Sequence, residues 1–250
     1  MILELDVGNT RIKWRLLAAD SLLPQNTGHV SDLAQLQRVP ELQVAISLAR
    51  MCSVRGGELN QQIEQWVRRQ YGIDLQLAVV TASCGGVSNR YADVSRLGID
   101  RWLAMLGAYR RAGGACMIID SGTAFTLDVV DAQGQHRGGY IIPGLGLMRS
   151  SLEAHTAIRL TAHYSHDSRE LGHSTDEAVF NGTLSALLAT IALEHRALQA
   201  QGSVKTYFAG GDAELLHGFA GIEDSEVVPT LVFDGLDVAC PRPGIAERLD

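Results

Sequence analysis

The sequence predicts an α/β protein built from two similar halves, each of strands and helices. Three observations carry that expectation. Residues 2–18 and 116–130 echo each other: each is an apolar strand ending in Asp, then x-Gly with a Thr, then a second strand of rough period-2 alternation. The two aspartates, Asp6 and Asp120, are separated by close to half of the 250-residue chain, as duplicated half-domains require. Behind each echo, short strand-like runs alternate with helix-like segments.

Taken in order, the first half offers strand-like runs at 43–49 and 75–80 with a helix-like segment at 57–71 between them. Asp100 to Arg111 sets Trp102, Leu103, Leu106 and Tyr109 at helical spacing. In the second half, Gly138 to Pro143 reads as a strand stopped by Pro143-Gly144. Ser174 with Glu177 three residues on is a capping box. Phe180, Leu184, Leu187, Leu188 and Ile191 then make one apolar helical face. Lys205 to Ala209 is a strand entering the Gly210-Gly211-Asp212 turn, and a short helix follows. The boundary is expected at Gly113-Gly114, giving halves of 1–113 and 114–250.

Composition narrows the function. Hydrophobic residues make up 46%, enough for a packed core, so wholesale disorder is excluded. With 21 Lys+Arg against 28 Asp+Glu the net charge is −7 and no basic run exists, which argues against nucleic acid as a partner. The longest apolar run, Leu184 to Leu193, is broken by Ser185 and Thr190 and falls well short of the ~18 residues of a membrane span. The N-terminus enters a strand at once, with no basic region or cleavage site, so no signal peptide is expected. Cys52, Cys84, Cys116 and Cys240 are scattered and form no CxxC pair, which fits a reducing compartment. The cytoplasm is the expected location.

Each Asp-x-Gly turn admits two readings. One is ordinary hairpin chemistry. The other is a phosphate clamp, in which Gly lets backbone N–H groups approach an anion and the Asp holds a cation or water nearby. Two copies at equivalent places favour the clamp. Lys13, on the outgoing strand, is either a charge for phosphates or a solvated residue. In Gly98-Ile99-Asp100-Arg101-Trp102, Asp100 is either a helix N-cap or a carboxylate kept ionised to accept a hydroxyl proton. Arg101 beside it is either a surface residue or an anion clamp. Gly210-Gly211-Asp212 is either a strand-to-helix turn or a close approach to a flat ligand. A P-loop, a dinucleotide fingerprint (Gly144-Leu-Gly146-Leu-Met-Arg149 lacks the third Gly) and a GxSxG elbow are absent. His155, His163, His166 and His173 crowd one region without a metal motif and read as surface loop.

In this order and spacing the motifs resemble those of type III pantothenate kinases, over essentially the whole chain. Asp6-Val-Gly-Asn-Thr-Arg-Ile-Lys13 resembles the first phosphate motif of that family, and Asp120-Ser-Gly-Thr123 the second. Tyr91 and Gly98-Ile-Asp-Arg101 resemble its pantothenate segment. Gly138-Gly-Tyr-Ile-Ile-Pro-Gly144, Ser174-Thr-Asp-Glu-Ala178 and, as adenosine motif, Gly210-Gly-Asp212 complete the series.

The resemblance implies two ribonuclease-H-like (actin-like ATPase) halves, each a mixed β-sheet flanked by helices, with ATP in the cleft between them. It also implies a homodimer whose interface helps form the pantothenate pocket. The implied reaction is ATP-dependent phosphorylation of the 4′-hydroxyl of pantothenate, the first step of coenzyme A biosynthesis. Asp100 would be the base. Asp6, Val7, Gly8, Asn9, Thr10, Arg11, Ile12 and Lys13, with Thr123, Gly210 and Gly211, would bind ATP. Tyr91, Gly98, Ile99, Asp100, Arg101 and Thr175 would contact pantothenate. Asp120 would bind a monovalent cation, K⁺ or NH₄⁺, and Mg²⁺ would accompany ATP. Val7 and Arg11 occupy variable positions, and Val94 stands where a proline is frequent. Relatives described as Bvg accessory factors make a non-catalytic regulatory role the alternative; the intact Asp6, Asp100 and Asp120 speak against it. A chaperone- or actin-like ATPase is disfavoured because 250 residues leave no room for the usual extra subdomains.

Overall fold

The computed structural model describes residues 1–19, 21, 23–161 and 167–242. The strands of the first region are β1 (Ile2–Val7), β2 (Ile12–Leu17), β3 (Pro24–Val30), β4 (Leu48–Ser53) and β5 (Leu75–Leu77). They form one sheet in the order β3-β2-β1-β4-β5, with β1–β2 and β2–β3 antiparallel and β1–β4 and β4–β5 parallel. A small hairpin follows, β6 (Ser83–Cys84) with β7 (Val87–Ser88). Then come β8 (Cys116–Ser121), β9 (Ala124–Val130), β10 (His136–Pro143), β11 (Lys205–Ala209) and β12 (Ser225–Val227). Their order, β10-β9-β8-β11-β12, repeats that of the first sheet with the same strand senses. The echo read in the sequence is therefore a duplicated topology. Each half is an α/β unit of the expected class.

Helices pack on these sheets: α1 (Leu33–Leu36), α2 (Gly57–Tyr71), α3 (Ile99–Ala112), α4 (Leu145–His155), α5 (Thr175–Gln199), α6 (Ala213–Ala220) and α7 (Leu231–Ala239). Strand alternation explains the layers. Leu3, Leu5 and Val7 point from β1 into a core with Trp14, Ile63, Trp66 and Val67. In the second sheet Met117 and Ile119 point into a core with Phe125, Leu184, Leu187, Ile191 and Phe208. The Ser174 hydroxyl accepts from the Glu177 amide at 3.2 Å, so α5 starts where its cap residue placed it.

The chain divides into two compact units, one of Met1–Gly107 with the described residues of Leu231–Asp250, the other of Ala108–Thr230. This differs from the expected halves of 1–113 and 114–250 in two places: the first division falls within α3, after Gly107, and α7 belongs with the first sheet. For α7 the cause is charge. On the β1 face opposite the leucines lies Glu4, fully buried, bonded to Arg15 on β2 and to Arg50 on β4. Arg15 also reaches Asp234 at 3.1 Å, and Arg50 reaches Asp237 at 2.5 Å, both on α7. Close packing adds to this: a Cβ on Gly235 would lie 1.8 Å from the Leu103 carbonyl oxygen. Duplication could not reveal a helix that only one unit recruits.

A second difference concerns β4. The apolar pattern at 43–49 suggests a strand there, whereas the strand is Leu48–Ser53. Arg50 lies at its centre, and a charge looks wrong for a buried strand until Glu4 is seen opposite.

Candidate active site

In the first unit, the β1–β2 hairpin presents the first Asp-x-Gly turn. Asp6 and Lys13 are register partners, with the Lys13 ammonium 3.6 Å from an Asp6 carboxylate oxygen. The turn is closed by the Gly8 amide donating to the Arg11 carbonyl at 3.0 Å, which leaves Asn9, Thr10 and Arg11 exposed at its tip. Val7 and Ile12 are buried and pair across the hairpin. They hold the turn rather than offer it polar groups. Burial raises the Asp6 pKa above its ordinary 3.8; Lys13 and the Cys52 thiol, 3.5 Å away, oppose the rise, and the charge of Asp100 adds to it. Burial, then the Asp6 charge, drives the Cys52 pKa well above 9.0, so this thiol stays protonated. Asp6 and Asp100 thus share one electrostatic neighbourhood.

Asp100 stands in the first turn of α3, one residue inside the helix. The Gly98 carbonyl accepts the first helical bond, from Trp102 at 3.0 Å, so Asp100 is not the cap. Its carboxylate folds back to accept from the Arg101 amide at 2.8 Å. Gly98 makes the fold-back possible, since a Cβ there would sit 2.7 Å from Asp100 Oδ1. Arg101, nearly buried, donates to the Tyr91 hydroxyl at 2.8 Å, its guanidinium 5.8 Å from the ring centroid. Tyr91 is held by its own amide donating to Asn89 Oδ1 at 2.9 Å. Asp93 caps the next turn, Val94–Arg96, at 3.0 Å to the Ser95 amide, so the loop is braced there by an Asp cap. Gly98, Ile99, Asp100, Arg101, Tyr91, Asp6 and Lys13 all belong to this unit.

In the second unit, Asp120 is the penultimate residue of β8, opposite Ala209, as Asp6 is of β1, opposite Cys52. The Asp120–Thr123 turn is closed by the Gly122 amide donating to Ala124 at 2.9 Å. Gly144, ahead of α4, packs so close that its Cβ would lie 2.0 Å from the Gly122 carbonyl oxygen. An open depression of about 420 Å³ results, lined by Gly122, Thr123, Gly146, Leu147, Ser150 and Asp212. Gly210 is in the left-handed region at φ +90°, and a Cβ there would meet the Ser121 carbonyl oxygen at 2.2 Å. Gly211 follows, exposed. Thr175, the first residue of α5, is also exposed and lies in this second unit.

Sequence reasoning named Thr123, Gly210 and Gly211 but missed Gly146, Leu147 and Ser150. The Gly144–Arg149 stretch fails as a dinucleotide fingerprint, yet its Gly144 brings the start of α4 against the Gly122-Thr123 turn. His163 and His166 of the histidine group lie outside the described residues. Among the described residues no cluster of three metal-ligating side chains is found, and no helix is long and apolar enough to cross a membrane.

A family model of type III pantothenate kinases matches residues 2–194. The chain belongs to this family. A type III pantothenate kinase from Ectopseudomonas mendocina is 39% identical over 248 residues, covering 96% of this chain and 99% of that protein. One from Azotobacter vinelandii is 40% identical over 254 residues, covering 97% and 100%. Two solved structures share the fold. A Campylobacter jejuni protein described as a Baf family transcriptional activator has a TM-score of 0.59 at 17% identity, covering 94% of this chain and 95% of its own. A Sinorhizobium meliloti protein assigned as a 2-dehydro-3-deoxygalactonokinase has a TM-score of 0.58 at 14% identity, covering 95% and 97%. At such identities these likenesses speak for the fold alone.

Proposed function

We propose that this pantothenate kinase family member transfers the γ-phosphoryl group of ATP to the 4′-hydroxyl of pantothenate, opening coenzyme A biosynthesis in the cytoplasm. The observation that carries the reading is the grouping of Asp100, Arg101, Tyr91 and Asp6 in one unit. It combines a carboxylate at a helix N-terminus, a nearly buried guanidinium and a phosphate-type hairpin.

Phosphoryl transfer asks the protein for positioning and charge, with little covalent chemistry. Asp100 accepts the hydroxyl proton as the acceptor oxygen bonds to the γ-phosphorus and the bond to ADP breaks. Arg101 and Tyr91, fixed by their mutual hydrogen bond, orient the acceptor together with Gly98, Ile99 and Thr175. Asp6 and the turn from Val7 through Lys13 bind ATP phosphates, as do Thr123, Gly210 and Gly211. Asp120 suits a monovalent cation, K⁺ or NH₄⁺: its carboxylate is a hard oxygen donor, and Gly210 leaves space beside Oδ1, where a Cβ would come within 2.6 Å. That ion and the Mg²⁺ carried by ATP supply positive charge that a chain of net charge −7 otherwise lacks. The active assembly on this reading is a homodimer.

The test is a coupled ADP-release assay on purified protein with ATP, Mg²⁺ and pantothenate, with and without potassium. Potassium-dependent formation of phosphopantothenate supports the reading. Absence of that product with potassium and magnesium present rejects it.

A further inference from the structure

Val7 and Ser121 are equivalent: each is the last residue of its unit's first strand, directly after the motif Asp, and is fully buried on the core face. In both units the carbonyl at this position accepts an amide from the loop after the fourth strand, Val54 to Val7 at 3.1 Å and Asp212 to Ser121 at 3.0 Å. The bond arrives one register position later in the second unit, where Gly210 at φ +90° takes up the additional residue. The first unit keeps an apolar side chain here. The second places a hydroxyl in its core, which is unfavourable unless bonded. Ser121 Oγ donates to Asp212 Oδ2 at 3.0 Å. Asp212 holds the N-cap position of α6 yet makes no capping hydrogen bond, its carboxylate turned to Ser121 instead. It also lines the depression formed with Gly122 and Thr123.

We propose that Ser121 and Asp212 are a positioning pair that locks the Gly210-Gly211 turn onto the Gly122-Thr123 turn and so sets the affinity for the nucleotide. Both lie within motifs quoted above, yet neither is assigned a role among the ATP-binding or acceptor-binding residues, and the proposal rests on the kinase reading only for the identity of the nucleotide. Two hydrogen bonds, one from the Asp212 amide and one from the Ser121 hydroxyl, fix the spacing of two turns whose glycines otherwise leave them loose. A pre-set spacing spares the ligand the cost of ordering the loop.

The experiment titrates the full-length protein with ATP by calorimetry in the absence of any acceptor, and separately measures KM for ATP and for pantothenate. The variants are Ser121→Ala, Asp212→Ala, their combination, and Ser121→Thr. Ser121→Ala is expected to weaken ATP binding about tenfold, the scale of a lost hydrogen bond to a charged group. KM for pantothenate should stay put, and the double variant should be little worse than either single one. Ser121→Thr, which keeps the hydroxyl at a position whose counterpart accommodates Val7, should recover most of the loss. Unchanged ATP affinity in both alanine variants overturns the proposal. So do additive losses in the double variant, or equal rises in both KM values, which mark a purely structural effect. Because the titration needs no pantothenate, a wild-type protein that binds ATP but forms no phosphopantothenate would defeat the kinase reading while leaving this pair on trial.

Discussion

Glu4 and Arg50, both inaccessible to solvent, face each other across parallel strands with a guanidinium nitrogen 2.8 Å from the carboxylate. Around them Arg15, Asp234 and Asp237 extend the network to α7, and Arg50 also reaches the Cys240 carbonyl oxygen at 2.5 Å. Such a network adds little over a well-packed apolar core but is costly to break on one side, since that strands a buried charge. Glu4→Gln and Arg50→Met are each expected to lose about 3–5 kcal/mol of stability, read from urea unfolding. Losses below ~1 kcal/mol would mean the pair is solvated rather than buried.

Gly98 gives a prediction that separates geometry from stability. A Cβ there would lie 2.7 Å from Asp100 Oδ1, the far end of a side chain that can rotate away once its bond from the Arg101 amide is given up. Gly98→Ala should therefore fold nearly as well as the wild type while displacing the carboxylate. A shift of an ångström at a reacting group costs roughly 10²-fold in rate. Steady-state kinetics should show that drop in kcat with ATP affinity preserved and melting temperature little changed; a normal kcat would place Asp100 away from the reacting hydroxyl.

Asp100→Asn keeps the shape and the bond from the Arg101 amide, which an amide oxygen accepts as well as a carboxylate. Only the proton acceptor is lost. The rate should fall by roughly 10²–10⁴ while ATP still binds. Full activity in this variant would remove Asp100 from the role of base and leave Asp6, its electrostatic neighbour, as the alternative carboxylate to test.

How much of this was legible beforehand follows from what each signal is made of. The two hairpins could be read because Asp, Gly and Thr mark a turn locally and recur at the same place in each half. The 57–71 helix-like segment and α5 could be read because apolar spacing and the Ser174 cap are local too. The β4 register and the placement of α7 could not. Arg50 looks out of place in a buried strand until Glu4, Asp237 and the Cys240 carbonyl are brought to it by tertiary contact. Ser121 and Asp212 were visible as letters of two motifs, but their bond joins segments 91 positions apart. The role of Gly144 likewise depends on the Gly122 carbonyl that it meets only in the folded chain.

Asp6 carries the pH prediction. Burial raises its pKa above the 3.8 it has when exposed, against the pull of Lys13 and Cys52. Between 3.8 and that raised value the folded protein holds a proton that the unfolded chain has released. The folded state then binds more protons, so this group makes stability fall as pH rises through that window. Below the window both states are protonated and the penalty vanishes. Asp6→Asn removes the titration while keeping size and hydrogen-bonding capacity. Its stability relative to wild type should therefore improve from about pH 3.5 to about pH 7, measured as the difference in urea unfolding free energy at each pH. Activity should fall as stability rises, because the carboxylate that costs the fold is the one assigned to the phosphates. A stability difference that is the same at both pH values would show that Asp6 ionises without a burial penalty.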